Sequence, residues 1–242
     1  MSKHIEVLPD TGALIQRSLE LVLEKLRQAI AERDVATIAL SGGSTPKPLY
    51  EALAQQDLPW DKIQIFWGDE RFVSHDHPDS NARMARQAWL DKVPLPAANI
   101  HPMPTDDADP VDAAAKYDRE LRQFFNLDRD EIPHIDVMLL GMGDDGHTAS
   151  LFPHTEALQV CDLLATVGNK DGQPRITMTV PIINESRTII FMVAGENKQN
   201  ALSHVFSPNP DTSTYPSSLV HPEHGELWWL LDQAAGANLP QA

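Results

Sequence analysis

The sequence has a single cysteine, Cys161, and no apolar run approaching the eighteen or so residues that a membrane-spanning helix requires. One thiol cannot build a disulfide framework. Without a local His–Cys signature, it reads as a packed side chain rather than a nucleophile. The opening "MSKHIEVLPD" lacks the apolar stretch of a secretory signal, so the expected setting is a reducing cytoplasm. Basic residues are also scarce, 19 against 35 acidic, for a formal net charge of −16. That balance argues against broad contact with nucleic acid or an anionic membrane, because both require clustered Lys and Arg. Internal repeats and low-complexity tracts are missing too.

What is present is apolar material, 42% of 242 residues, enough to bury a substantial core in a single domain spanning residues 1–242. Ile15, Leu19, Val22, Leu26 and Ile30 recur at spacings of three and four, which predicts a helix from Asp10 to Arg33 with Asp10 or Thr11 as its N-cap. The chain then alternates. "VATIALS" reads as a buried strand, "PKPLYEALAQQ" as a helix and "DKIQIFWG" as a strand. "DSNARMARQAWLDKV" reads as a helix, "NIHPMP" as a short extended piece, "PVDAAAKYDRELRQFFN" as a helix and "IDVMLLG" as a strand. Further on, "RITMTV", "RTIIFMVAG", "NKQNALSHVFS", "GELWWLL" and "DQAAGA" predict strand, strand, helix, strand and helix. Repeated β-then-α order implies an α/β fold, Rossmann-like, with a mostly parallel sheet and helices on both faces. "SPNPDTSTYPSS", residues 207–218, is the clearest loop.

Ligands of open parallel sheets bind at the carboxyl ends of the strands, and four polar segments fall there: "SGGSTP", "GDER", "GMGDDGH" and "AGENK". Gly141, Gly143 and Gly146 have literal G-x-G-x-x-G spacing. A dinucleotide reading fails on chemistry: Asp144 and Asp145 would repel a pyrophosphate, and Pro153 arrives too soon for a long helix. The remaining readings are a turn that presents His147 and Asp145 for chemistry or a glycine-rich turn with a solvated histidine. "SGGSTP" suits a monophosphate better. Gly42 and Gly43 allow close backbone approach, Ser44 and Thr45 offer hydroxyls, and Pro46 is preset to open a helix. A tight strand-to-helix turn capped by Ser and Thr would have the same composition. A phosphorylated ligand of so acidic a chain needs local cations, and Arg71, Arg175 and Lys198 are the candidates. Lys198 in a helix's first turn is unfavourable unless an anion is shared there. Arg175 has the alternative of a rim cation opening an edge strand. His75, Asp76, His77 and Asp79 are metal-ligand types, but no distant third ligand fixes a geometry, so the loop is expected to be solvated and metal-free. Trp228 and Trp229 fit a core strand better than a stacking platform.

Six blocks in order, "LSGGSTPKPLYEAL", "FWGDERFVSHDHPDSNARM", "LLGMGDDGHTASLFP", "RITMTVPIIN", "FMVAGENKQNAL" and "SLVHPEHGELWWLLDQAA", cover nearly the whole chain. Together they resemble the 6-phosphogluconolactonase branch of the glucosamine-6-phosphate isomerase/6-phosphogluconolactonase superfamily. The resemblance implies a Rossmann-like fold, no cofactor, and hydrolysis of 6-phospho-D-glucono-1,5-lactone in the pentose phosphate pathway. The partner it implies is a small phosphorylated sugar lactone, handled by a monomer or small homo-oligomer. It makes His147 the catalytic base and Asp145 its partner. It makes Arg71, Arg175 and Lys198 the substrate-anion cations, and Gly42, Gly43, Ser44 and Thr45 the phosphate loop. Asp69 and Asn81 match positions lining the sugar. The deaminase branch resembles this chain in the D-G-H block but places an acid before the proline and tyrosine where this chain has Arg71. Phe152 stands before Pro153 here and can move no proton, which favours lactone hydrolysis over deamination or aldose–ketose isomerisation. A non-catalytic sugar-phosphate sensor on the same fold would have no use for His147.

Overall fold

The computed structural model describes residues 2–239. The expected domain's residues 1 and 240–242 lie outside the described residues. The elements run β1 (Ser2–Leu8), α1 (Thr11–Arg33), β2 (Ala36–Leu40), α2 (Lys47–Leu53), β3 (Ile63–Trp67), β4 (Asp69–Arg71), α3 (Asn81–Ala88) and α4 (Pro110–Phe125). They continue β5 (Val137–Leu140), β6 (Ala165–Lys170), β7 (Gln173–Met178), α5 (Val180–Asn184), β8 (Thr188–Val193), α6 (Gln199–Val205), β9 (Glu226–Asp232) and α7 (Gln233–Gly236).

Six strands form one sheet in the order β1-β9-β8-β5-β2-β3, and every pairing in it is parallel. β2, β5 and β8 are buried at each residue, as strands covered on both faces must be. α1 lies across β2, β5, β8 and β9. Asp10 caps this helix by accepting from the Ala13 amide at 2.8 Å, and Asp34 ends it in the left-handed conformation. After β2 the chain moves one way to β3; β5, β8 and β9 are laid down on the other side of β2. The order therefore reverses between β2 and β5, and their carboxyl-end loops diverge to leave a crevice.

The second sheet is the main departure from expectation. "RITMTV" forms a strand, as its pattern predicts, but not one of the parallel sheet. Instead β7 sits between β4 and β6 in a three-stranded antiparallel sheet, and Thr179–Val180 leave the strand to start α5. The expected helix at 79–93 ends at Ala88, with a 3-10 turn over Leu90–Lys92, and that at 46–56 is shortened to α2. β1, β4, β6 and α5 had no counterpart in the sequence reading. One contiguous core nevertheless joins both sheets, with Ile176 and Met178 of β7 packed in the same cluster as the main strands, so the described chain is a single domain.

Candidate active site

The loops after β2 and β5 line a cleft of about 270 Å³ at the point where the strand order reverses. The β2 loop is held from below: Tyr50 of α2 donates to the Ser41 carbonyl at 2.7 Å and accepts from the Ser41 amide at 3.0 Å. Gly43 takes a φ of 97°, which favours glycine, and a Cβ at Gly42 would collide with the Asn81 amide group. Asn81 in turn donates to the Asp69 carbonyl at 2.9 Å, while the Asp69 carboxylate accepts from Ser150 Oγ at 2.7 Å.

The β5 loop carries the imidazole. Residues 141–151 close into a compact turn in which the Gly143 amide donates to the His147 carbonyl at 2.9 Å and Thr148 Oγ1 to the Gly141 carbonyl at 2.9 Å. Residues 147–155 form no helix, so the dinucleotide reading has no structural basis. Asp145 lies 2.5 Å from His147 Nδ1 and also accepts from the His147 amide at 3.1 Å. Partial burial opposes ionisation of Asp145. The hydrogen bonds from the His147 ring and amide, with the imidazole's charge, overcome that and bring the carboxyl down to about 2. With Nδ1–H held by this carboxylate, Nε2 carries the lone pair of the neutral ring and is the nitrogen left for a substrate or water. Phe152 packs on the same imidazole, with ring centroids 4.5 Å apart.

Arg71 and Arg175 are register partners on the antiparallel pair β4–β7, so two guanidinium groups face one cleft from adjacent strands. Like charges so placed repel, and the Nε of each is buried without an acceptor. Burial, then the neighbouring Arg71, lowers the Arg175 pKa from its ordinary value. Phe152 offers its ring face to Arg175 at 5.5 Å. Arg71 donates to the Asp79 carbonyl at 2.6 Å, and its strand is steadied by Glu70. That buried carboxylate accepts from the amides of Arg71, Asn81 and Ala82 and from Ser80 Oγ. Burial still raises the Glu70 pKa against those hydrogen bonds. Such an arrangement can take an anion beside an imidazole.

Of the residues singled out from sequence, Gly42, Gly43, Ser44, Thr45, Asp69, Arg71, Asn81, His147, Arg175 and Lys198 all line this cleft, and Asp145 stands behind His147. Arg175 lies on the central strand of its sheet rather than at an edge. The His75–Asp79 loop is elsewhere engaged: His75 Nε2 meets the Met103 carbonyl at 2.8 Å, and His77 Nδ1 accepts from the Asp79 amide. Trp229 is core, as expected, and Trp228 stacks on His4. Tyr50, Glu70 and Ser150 stand inside the quoted blocks, yet nothing in the linear pattern marks them as supports, because their contacts with Ser41, Asn81 and Asp69 form only on folding. A separate cleft of about 430 Å³ lies at the amino ends of the strands, but its cations are paired, Lys25 with Glu226, and Arg33 and Arg187 with Asp136.

Residues 9–229 match the sequence model of the family described as glucosamine-6-phosphate isomerases/6-phosphogluconolactonase. The chain belongs to this family. A 6-phosphogluconolactonase of Nostoc sp. is 64% identical over 239 residues, covering 99% of each chain. One from Synechocystis sp. is 59% identical over 239 residues with the same coverage. The solved 6-phosphogluconolactonase of Trypanosoma brucei superposes with a TM-score of 0.89 at 27% identity, covering 99% of both chains. Family membership gives the switch-point cleft its context: one imidazole, one carboxylate partner and three cations on a shared scaffold.

Proposed function

We propose that this chain hydrolyses 6-phospho-D-glucono-1,5-lactone to 6-phospho-D-gluconate, the lactonase step of the pentose phosphate pathway. The observation that carries the reading is the pairing, in one cleft, of a carboxylate-oriented imidazole with the facing guanidinium groups of Arg71 and Arg175. A δ-lactone is an activated ester, so a base that deprotonates water suffices and no covalent nucleophile is required. His147 Nε2 takes a proton from water as the oxygen attacks C1. The imidazolium, stabilised by Asp145, then returns a proton to the departing ring oxygen. Arg71, Arg175, Lys198 and the Gly42–Thr45 loop hold the 6-phosphate, so that binding energy remote from C1 sets the carbonyl against the water. Asp69, braced by Asn81 and Ser150, lines the sugar.

Phe152 supports hydrolysis over deamination: it packs against His147 with a ring that can neither give nor take a proton. All of these groups come from one chain, which suits a monomer or a small homo-oligomer with independent sites. Cys161 is exposed rather than packed as its sequence context predicts; as the sequence's single cysteine it supports assigning the reaction to the cytoplasm, and no helix among the described residues is long and apolar enough to cross a membrane.

The test is hydrolysis of freshly generated lactone, followed as acid release with spontaneous opening subtracted. Wild type should turn over rapidly, and His147→Ala should lower kcat by about 10²–10⁴ with KM largely kept. Wild type at the spontaneous rate refutes the reaction; a near-normal kcat in the variant removes His147 from the role of base.

A further inference from the structure

The three cations of the cleft are not equivalent. Arg71 and Arg175 each keep a buried Nε with no acceptor. Lys198 differs, because its Nζ lies 3.1 Å from Asp144 Oδ1, and both side chains line the same cleft. The Lys198 side chain is mostly buried at 17% exposure, whereas Asp144 stands 72% exposed at the rim. The Lys198 ammonium holds the Asp144 carboxyl below its ordinary pKa, so Asp144 is an anion throughout the neutral range. One of the cations offered to a ligand is thus already answered by a carboxylate of the cleft wall, one residue from the catalytic carboxylate and outside the roles assigned above.

An ammonium is a compact point charge with three donors, and a rim ion pair of this exposure is weak enough to exchange. A phosphate that reaches Lys198 must either displace Asp144 or sit beside it, and both alternatives reduce its affinity. We propose that Asp144 is a resident counter-anion that competes with the substrate's phosphate for Lys198 and so sets the affinity of the cleft for phosphorylated ligands. The inference rests on the phosphate assignment made under Proposed function. Its chemical consequence falls on turnover. Ring opening converts a neutral ester into a carboxylate, so the product carries one more negative charge than the substrate while keeping the phosphate. A competing anion at the rim disfavours the phosphate of both, keeps the more highly charged product from accumulating on the enzyme, and exchanges some substrate affinity for faster clearance.

The experiment measures inhibition of lactone hydrolysis by inorganic phosphate and by 6-phosphogluconate in wild type, Asp144→Asn, Lys198→Ala and the double variant, with Asp144→Ser as a second replacement. Asp144→Asn keeps the size of the side chain and removes its charge. The expected result is inhibition by both anions tightened roughly 2–5-fold, as for releasing Lys198 from a partly exposed ion pair, with KM lowered in the same direction. In the Lys198→Ala background the tightening should vanish, a coupling that general relief of the negative field cannot produce. Unchanged or weaker inhibition in both Asp144 variants overturns the proposal, because Asp144 then only positions Lys198. Equal tightening with and without Lys198 also overturns it. If Lys198→Ala by itself leaves phosphate inhibition at the wild-type level, the phosphate assignment of Lys198 fails and the inference falls with it. That outcome is distinguishable because it shows before Asp144 is touched.

Discussion

In the proposed mechanism the role of His147 reduces to which nitrogen is free, and Asp145 decides it by occupying Nδ1. Asparagine at 145 presents an amide that can turn either its oxygen or its NH₂ to the ring, so both the tautomer and the charge stabilisation are lost. Asp145→Asn should therefore lower kcat while leaving KM close to wild type; a proportionate rise in KM would make Asp145 a binding residue. The same carboxyl gives a stability signature. Its folded pKa of about 2 lies below the unfolded value of about 3.9. The stabilisation is therefore fully present above that unfolded value and is lost as pH falls through the folded one. The melting-temperature gap between wild type and Asp145→Asn should be open at pH 5 and shrink by pH 2.5. A gap that stays open in acid would mean that another group carries the titration. His147 and Asp145 were legible as a pair in "DDGHTAS", but their contact was not, since residues two apart on a turn need not touch.

The turn over 141–151 shows what an element adds to its residues. Gly143 is buried behind the dyad, where a Cβ would run into His147 Nδ1 and Asp145 Oδ1. Gly143→Ala should displace the imidazole without unfolding the sheet, costing about 10²-fold in kcat, as misplacement of a catalytic group does. Unchanged turnover with unchanged circular dichroism would show the turn relaxing freely. The long loop also contributes: the Ser217 amide donates to the Gly146 carbonyl at 2.8 Å, and Tyr215 closes over Gly146, whose φ is 80°. Composition identifies residues 207–218 as loop and says nothing about what they clamp. The β6–β7 hairpin, by contrast, left a readable signal. Asp171–Gly172, both at positive φ, form the two-residue turn that "DG" between extended segments announces. β4 left none, because three residues carry no period.

Across the whole molecule the charge distribution opposes itself. A net −16 surrounds a cleft holding Arg71, Arg175 and Lys198, so an anionic substrate meets repulsion at long range and attraction at short range. Salt screens the first before the second, because the Debye length contracts from about 30 Å at 0.01 M to about 10 Å at 0.1 M. We expect kcat/KM for the phosphorylated lactone to rise with sodium chloride over that range and to fall at higher salt, as screening reaches the cleft itself. A monotonic fall would show that the three cations govern approach at every distance.

The sequence by itself determined the alternating α/β order, the parallel sheet and the segments that end at its carboxyl edge, because burial on both faces and glycine-rich strand ends are local properties that a linear pattern displays. It also carried the identity of the imidazole, its carboxylate and the cations, as residue types in ordered blocks. Tertiary structure alone decided where the strand order reverses and that β7 leaves the main sheet to bring Arg175 opposite Arg71. It also placed Ser150 under Asp69, across 81 residues of chain, and Asp144 against Lys198, across 54. Those contacts arise from strand pairing and loop packing between distant segments, and their free energy depends on the position of both partners in space.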